Sequence, residues 1–542
     1  MERSTGIASC IDVRRCVVRV TLFVTLVLPA APPGARAQAA ASERAPQETL
    51  MPLEQGKAMD REISGKKADG YELALPAGQF AEVIVQQRGI DIIADLVDAD
   101  GKTLAEFDSE SRLQGEERVV VVSGPAAGHY QLNVKPKYSR VRAGEYEIEL
   151  RAIRPATEKD RMLLEAHTLS LQADKLNDTG KYADSLRLYN RALDHAEKAL
   201  GPKHAYVGQL LVKQADLERT TDNRPKAEEL YQRAIAVDES ALGYENPQTA
   251  WAIQRLGVLY NWSDDYLRAE PLLRQALTIT EKILGSDHPR IIQCLSDLSL
   301  LFSNRHDYRQ TLHYLQRAQA IAVNNLEPDD FMSILILNNI GNTYRLMEDY
   351  DRAESAITRV VEMIEKKYGP DYPRLTTPLM NLGILARRKK DYARSLQYLL
   401  RALAIREKTL GARNSETART IITIGNTYRA EQDYAKALET YARAEDILKV
   451  VAGPYDVLLL LTYVNTATTY AASGDMPHAI EYEARVESMM EKSIELNMAI
   501  GSEREKFEYL KDASERTDRT ISFSVLMAPD DRRIADLAAL DG

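Results

Sequence analysis

The chain has 542 residues, more than one hydrophobic core can serve, so at least two structural units are expected, one of them an extended array. A composition of 44% hydrophobic and 28% charged residues excludes large-scale disorder. With 70 Lys and Arg against 80 Asp and Glu the formal charge is −10, which argues against nucleic acid or an anionic bilayer as the main partner.

Residues 1–38 read as a secretory signal peptide. Arg14, Arg15 and Arg19 precede an apolar stretch from Val20 to Ala31, and small residues around Ala35 and Ala37 predict cleavage near Gln38. The protein is therefore expected to be exported, to the periplasm or beyond. Cys10 and Cys16 leave with the signal, so Cys294 stands alone in the mature chain and neither a disulfide nor a structural zinc site is expected. No later apolar run reaches the roughly 20 residues of a membrane-spanning helix. Residues 39–56 form a linker.

Residues 57–153 predict an all-β sandwich of about eight short strands. Tyr71, Leu73 and Leu75 alternate with polar or small residues, as do Tyr130, Leu132 and Val134, then Tyr146, Ile148 and Leu150. Turn signals at Asp69-Gly70, Pro76-Ala77-Gly78, Asp100-Gly101, Gly124-Pro125 and Ala143-Gly144 separate these runs. Asp95, Asp98 and Asp100 are open to a calcium reading, but the remaining ligands of a known loop are missing and a hairpin turn accounts for Asp98 to Gly101.

From Thr157, which with Asp160 forms a capping-box start, the apolar period becomes helical. Tyr182, Arg224, Tyr266, Tyr308, Tyr350, Tyr392, Tyr434 and Met476 recur at a step of 42, giving eight units over residues 157–492. Small residues keep the same step at Ala173, Ala215, Gly257, Ser299, Gly341, Gly383, Gly425 and Ala467, and again at Ser185, Ala227, Ala269, Thr311, Ala353, Ser395, Ala437 and Ala479. Large side chains such as Tyr260, Phe302, Tyr344, Tyr428 and Tyr470 follow three residues after the first column. Small against large at a fixed offset is how stacked helical hairpins interlock. Residues 493–542 predict a helical tail; Ile521, Phe523, Val525 and Leu526 make it apolar enough to fold back as a cap or to dock a further domain.

These columns resemble the tetratricopeptide repeat. The long period and the elements Leu284-Gly285-Ser286-Asp287-His288-Pro289, Leu242-Gly243 to Pro247 and Leu200-Gly201-Pro202 resemble its kinesin-light-chain variety. The resemblance implies a mainly α fold, a right-handed helical-hairpin solenoid preceded by the small sandwich, whose first helices line a concave groove that binds protein or peptide. Projected on that groove are amides at Asn339, Asn342, Asn381, Asn426 and Asn465 and arginines at Arg345, Arg387 and Arg429. Amides can satisfy an extended peptide backbone and arginine can clamp a carboxylate, so a partner with acidic segments is expected. Solvation of an exposed face is the plainer account of any one of these residues.

The sandwich is similar to the pre-peptidase C-terminal type. Together with Arg154-Pro155-Ala156-Thr157 and the tail from Gly501 to Thr520, it resembles the upstream part of bacterial CHAT-domain proteins, in which a caspase-like peptidase follows. That chemistry needs a cysteine and a histidine base. No cysteine follows Cys294 and no histidine follows His478, so no catalysis and no cofactor are expected here. A non-catalytic scaffold is the first reading, the recognition half of such a peptidase the second, and a glycan-binding sandwich with a repeat spacer the third. Cys294 is expected to be buried and inert.

Overall fold

The computed structural model describes residues 50–65, 67–108, 114–138, 143–453 and 456–500. The signal peptide, most of the linker and the tail beyond residue 500 lie outside these. The chain divides into two compact units, one ending at Thr343 and the other beginning at Tyr344.

The first unit opens with nine strands: β1 (Met51–Pro52), β2 (Ala58–Ile63), β3 (Asp69–Leu75), β4 (Gln79–Arg88), β5 (Ile92–Asp98), β6 (Thr103–Phe107), β7 (Gln114–Val122), β8 (Gly128–Pro136) and β9 (Gly144–Pro155). They form a five-stranded sheet, β1-β3-β8-β5-β6, and a four-stranded sheet, β2-β9-β4-β7. Alternate residues of both sheets close one core, with Leu73, Val83, Ile92, Val119, Leu132 and Ile148 all buried. A hydrogen bond of 2.5 Å between the hydroxyls of Tyr71 and Tyr146 joins the sheets, and Tyr146 donates onward to Asp69 at 2.6 Å. Strand β1 falls where a linker is expected. Two residues are too few to show a period, yet the Leu53 amide donates to the Glu72 carbonyl and its side chain closes the sandwich core.

The sandwich passes directly into helix. Arg154 at the end of β9 lies over the Phe80 ring and holds both carboxylate oxygens of Asp160, which it draws down to a pKa of about 2. Asp160 also completes the capping box with Thr157.

Sixteen α-helices follow among the described residues. In the first unit they are α1 (Glu158–Asp178), α2 (Tyr182–Leu200), α3 (Ala205–Thr220), α4 (Arg224–Leu242), α5 (Pro247–Trp262), α6 (Tyr266–Leu284), α7 (Ile291–Asn304), α8 (Tyr308–Asn325) and most of α9 (Phe331–Leu346). The second unit continues with α10 (Tyr350–Tyr368), α11 (Thr376–Arg388), α12 (Tyr392–Leu410), α13 (Ser415–Ala430), α14 (Tyr434–Val451), α15 (Val457–Ser473) and α16 (Met476–Ile500). Every residue of the step-42 series headed by Tyr182 is the first residue of a second helix.

Two backbone devices set the period. Two residues before each second helix the chain turns through positive φ, at Gly180 and Gly474 in the outer hairpins and at Asp222, Asp264, His306, Glu348, Lys390 and Gln432 between them. After most second helices a glycine ends the helix, as at Gly411 with φ 85° and ψ 160°, a region open essentially to glycine alone. The packing columns also close as expected. A Cβ on Gly383 would stand 2.6 Å from Leu399, and one on Gly425 would stand 2.6 Å from the Tyr441 ring. Large buried residues on the second helix thus occupy the space left by small ones on the first.

Candidate functional site

Within each hairpin the two helices bury their small and large columns, which leaves one side of the first helix to meet a ligand. In the first unit this side is satisfied by its own charges. Lys213 donates to Asp174 at 2.8 Å, and Arg255 holds Asp216 through Nε at 2.7 Å and Nη2 at 2.5 Å. Tyr189 and Tyr231 donate to the same two carboxylates, both at 2.5 Å. Gln254 donates to Asp297 at 2.5 Å. Asn339 and Asn342 close this series, both buried, and the Asn339 side-chain oxygen has no partner; its neighbour Asn338, which the sequence reading passed over, is the same.

The second unit changes the chemistry at the same repeat positions. Asn426 stands at the repeat position that Asp174 and Asp216 occupy six and five periods earlier, and it accepts from the Tyr441 hydroxyl at 2.7 Å as they accept from Tyr189 and Tyr231. Asn381 is buried and its side-chain nitrogen finds no partner. Asn465 is half-buried. Neither α11 nor α15 contains Asp or Glu, and the one acid of α13, Glu416, is held by Arg406 and Arg419 at 3.0 Å each.

Into this acid-free setting the sequence places arginines. Arg387 has a buried Nε without a hydrogen-bond partner, and among the described residues it forms no ion pair. Burial, with Arg388, Arg429 and Arg345 as like charges nearby, pushes its guanidinium down to about 10. Tyr441 acts in the other direction. Arg345 and Arg429 are therefore both close enough to repel Arg387, while Tyr441, fixed by Asn426, lies beside Arg387 and Arg429.

Arginines on the second helices behave differently. Arg401 pairs with Glu365 at 2.6 Å, and Arg443 pairs with Glu407 by the same offset. Lys389 caps α11 and binds Asp351 and Glu354, both at 2.8 Å. These cations have acidic partners, unlike Arg387.

Other singled-out residues have structural partners. Asp98 accepts from the backbone amides of Asp100 and Lys102, the geometry of a closed turn, and Asp95 pairs with Lys135. Cys294 is buried and its thiol is pushed up to about 12 by desolvation, then by Asp297, which makes it a poor nucleophile. The Trp262 ring lies under the Arg219 guanidinium at 4.7 Å. No helix among the described residues is long and apolar enough to cross a membrane.

The sequence pattern of the tetratricopeptide repeat matches residues 164–240, 247–322, 333–408 and 416–492, together more than half of the chain. No curated protein matches. Among solved structures, a Podosopora anserina protein described as a kinesin light chain of nearly identical TPR-like repeats is 16% identical, with 38% of this chain and 98% of that one covered and a TM-score of 0.34. BtubC (BKLC) of P. vanneervenii is 19% identical over 46% of this chain and 94% of its own, with a TM-score of 0.34. A signal transduction ATPase with numerous domains and a tetratricopeptide repeat sensor, from Pyrococcus horikoshii, is 16% identical over 66% of this chain and 51% of its own, with a TM-score of 0.45.

Proposed function

The chain belongs to the tetratricopeptide repeat family, and on that premise we propose that it is an exported, non-catalytic scaffold whose second unit binds acidic protein segments on its first-helix side. The observation that carries the reading is Arg387, a partly buried guanidinium with an unpartnered Nε among like charges. A carboxylate supplied by a partner would satisfy that donor and relieve the repulsion of Arg387 by Arg345 and Arg429 in one step. Asn381, whose side-chain nitrogen is also unpartnered, supplies a donor for a peptide carbonyl. Asn426 and Asn465 extend the same side.

Affinity capture from an extracytoplasmic extract tests the proposal. The wild-type chain should retain partners that a variant with Arg345, Arg387 and Arg429 all changed to Ala loses. An identical set of captured proteins would dismiss the site. Export itself is read from the mature amino terminus, expected near Gln38.

A second reading is favoured by the order of the parts, a sandwich fused through Arg154 and Asp160 to a repeat array: the recognition half of a caspase-like peptidase system. A neighbouring reading frame carrying a paired His and Cys would support it, and an unrelated neighbour would remove it.

A further inference from the structure

The first unit contains a contact for which the proposed binding side has no use. The sandwich does not only precede the repeats; it lies against three of their hairpins. Ala156, Leu163 and Leu164 pack on its core at the first hairpin. At the end of β6, the Phe107 ring lies 4.8 Å from the His167 ring of α1, which stacks at 4.1 Å on Tyr206 of α3. Glu106 beside it is drawn to Lys213 of α3. Farther on, Tyr138 meets the His288 ring edge-on at 5.7 Å, just before α7, and Arg290 is attracted to Asp91 of the sandwich. Lys213 occupies in α3 the repeat position that Asn381 occupies in α11. The sandwich therefore reaches the side of the early first helices that in later hairpins carries the candidate binding residues.

We propose that the sandwich is a tethered occupant of the first-helix side of the first, second and fourth hairpins, docked through uncharged imidazole rings and released when those rings take a proton. The proposal does not depend on what the second unit binds.

The groups around each ring make protonation costly. His167 faces Phe107 of β6 and Tyr206 of α3, and the charged groups that act on it are Lys213 and His204, both cationic or potentially so. His288 faces Tyr138, with Lys137 and Arg290 as neighbours. Desolvation first, then these like charges, push His167 down to about 3 and His288 down to about 4, from 6.5. A base whose pKa is depressed in the docked state stabilises docking fully above 6.5 and loses that contribution as the pH falls toward the docked value.

Two groups at the seam titrate in the opposite sense, Glu106 and Asp91, both raised first by burial. Asp91 is fully buried with both carboxylate oxygens unpartnered, near Lys137, Asp108, Arg290 and Glu117, and burial pushes it up to about 8. A carboxyl raised by burial favours docking at low pH, against the histidines. Lys137, the cation that acts on Asp91 most strongly, is paired with Asp108 at 2.7 Å.

The test uses the full chain with Cys10→Ser, Cys16→Ser, Glu106→Gln and Asp91→Asn, the last two removing the opposing titrations. Spin labels at Lys102→Cys and Lys203→Cys, both exposed positions, report the separation of sandwich and second hairpin, while Cys294 stays buried and unlabelled. Between pH 7.5 and about 4 the label distance should lengthen and broaden while far-ultraviolet circular dichroism keeps its helical signal. The paired variant His167→Phe and His288→Phe, which keeps ring packing and removes both protons, should open at least about one pH unit lower, or not at all. A distance constant down to pH 4 would overturn the proposal. So would opening of the paired variant at the wild-type pH, or label separation that occurs only as the helices melt.

Discussion

Replacing Arg387 by Met should make the second unit more stable and a poorer binder at once. The guanidinium stands at about 10 rather than 12.5, which at 1.36 kcal/mol per pH unit amounts to roughly 3 kcal/mol spent on keeping it charged without a partner. Part of the group still meets solvent, so a gain of about 1 to 2 kcal/mol is expected, with the Met side chain retaining most of the packing of the arginine stem. Amide hydrogen exchange of α11 and α13 reads that gain locally, which suits a repeat array better than one global transition. The binding half uses a fluorescent glutamate-rich dodecapeptide. Loss of a charge-assisted hydrogen bond worth about 1.5 to 3 kcal/mol should weaken it by about 10- to 100-fold. Slower exchange with weaker binding is the expected pair of results. Faster exchange in α11, with peptide affinity unchanged, would mean that Arg387 holds the fold and not a ligand.

Three further predictions concern the frame. Gly425→Ala should destabilise the seventh hairpin by about 1 to 3 kcal/mol, because the new Cβ meets the Tyr441 ring at 2.6 Å; the urea midpoint measures it. Gly411→Ala should cost about 2 kcal/mol, since its φ of 85° and ψ of 160° exclude a side chain, whereas Gln432→Gly, at φ 69°, should stabilise by about 0.5 kcal/mol; thermal melts of the two should shift in opposite directions. Burial pushes Asp238 up to about 7 from 3.8, so its contribution is most favourable below pH 3.8 and declines as pH rises toward 7; Asp238→Asn, which can still accept from Gln248, should flatten the urea midpoint between pH 4.5 and 7.5.

The repeat was legible because its packing is enforced by steric exclusion, which acts on residue size and so leaves a mark on composition. Gly341, Gly383 and Gly425 can be read as a column without knowing what they touch. The positive-φ turn positions were less visible, because Asp222, His306, Glu348 and Gln432 share a backbone shape and no side-chain chemistry. Strand β1 escaped notice for want of length. The docking of the sandwich onto α1, α3 and the start of α7 left no periodic trace at all, since it joins single residues such as Phe107, His167 and Tyr138 far apart in sequence.

On the first-helix side, the setting of the expected residues differs from the one their pattern implied. Amides were expected to line an open face, yet Asn339, Asn342 and Asn381 are buried, and Asn426 is engaged with Tyr441. What distinguishes the second unit is the carboxylates it lacks. A comparison of two pairs shows how freely the array exchanges charge while keeping shape: Asp238 accepts from Gln248 at 2.6 Å, and 168 residues later, four periods on, Arg406 holds Glu416 at 3.0 Å. Both pairs join a second helix to the first helix that follows, with the polarity altered and the geometry kept. Because every such position is balanced locally in one unit or another, a run of first helices with arginines and no free acid is not required by the fold. Repeat packing constrains volume at each position and tolerates any charge that finds a partner, so a guanidinium left without one is a feature that packing alone does not explain and that an acidic partner does.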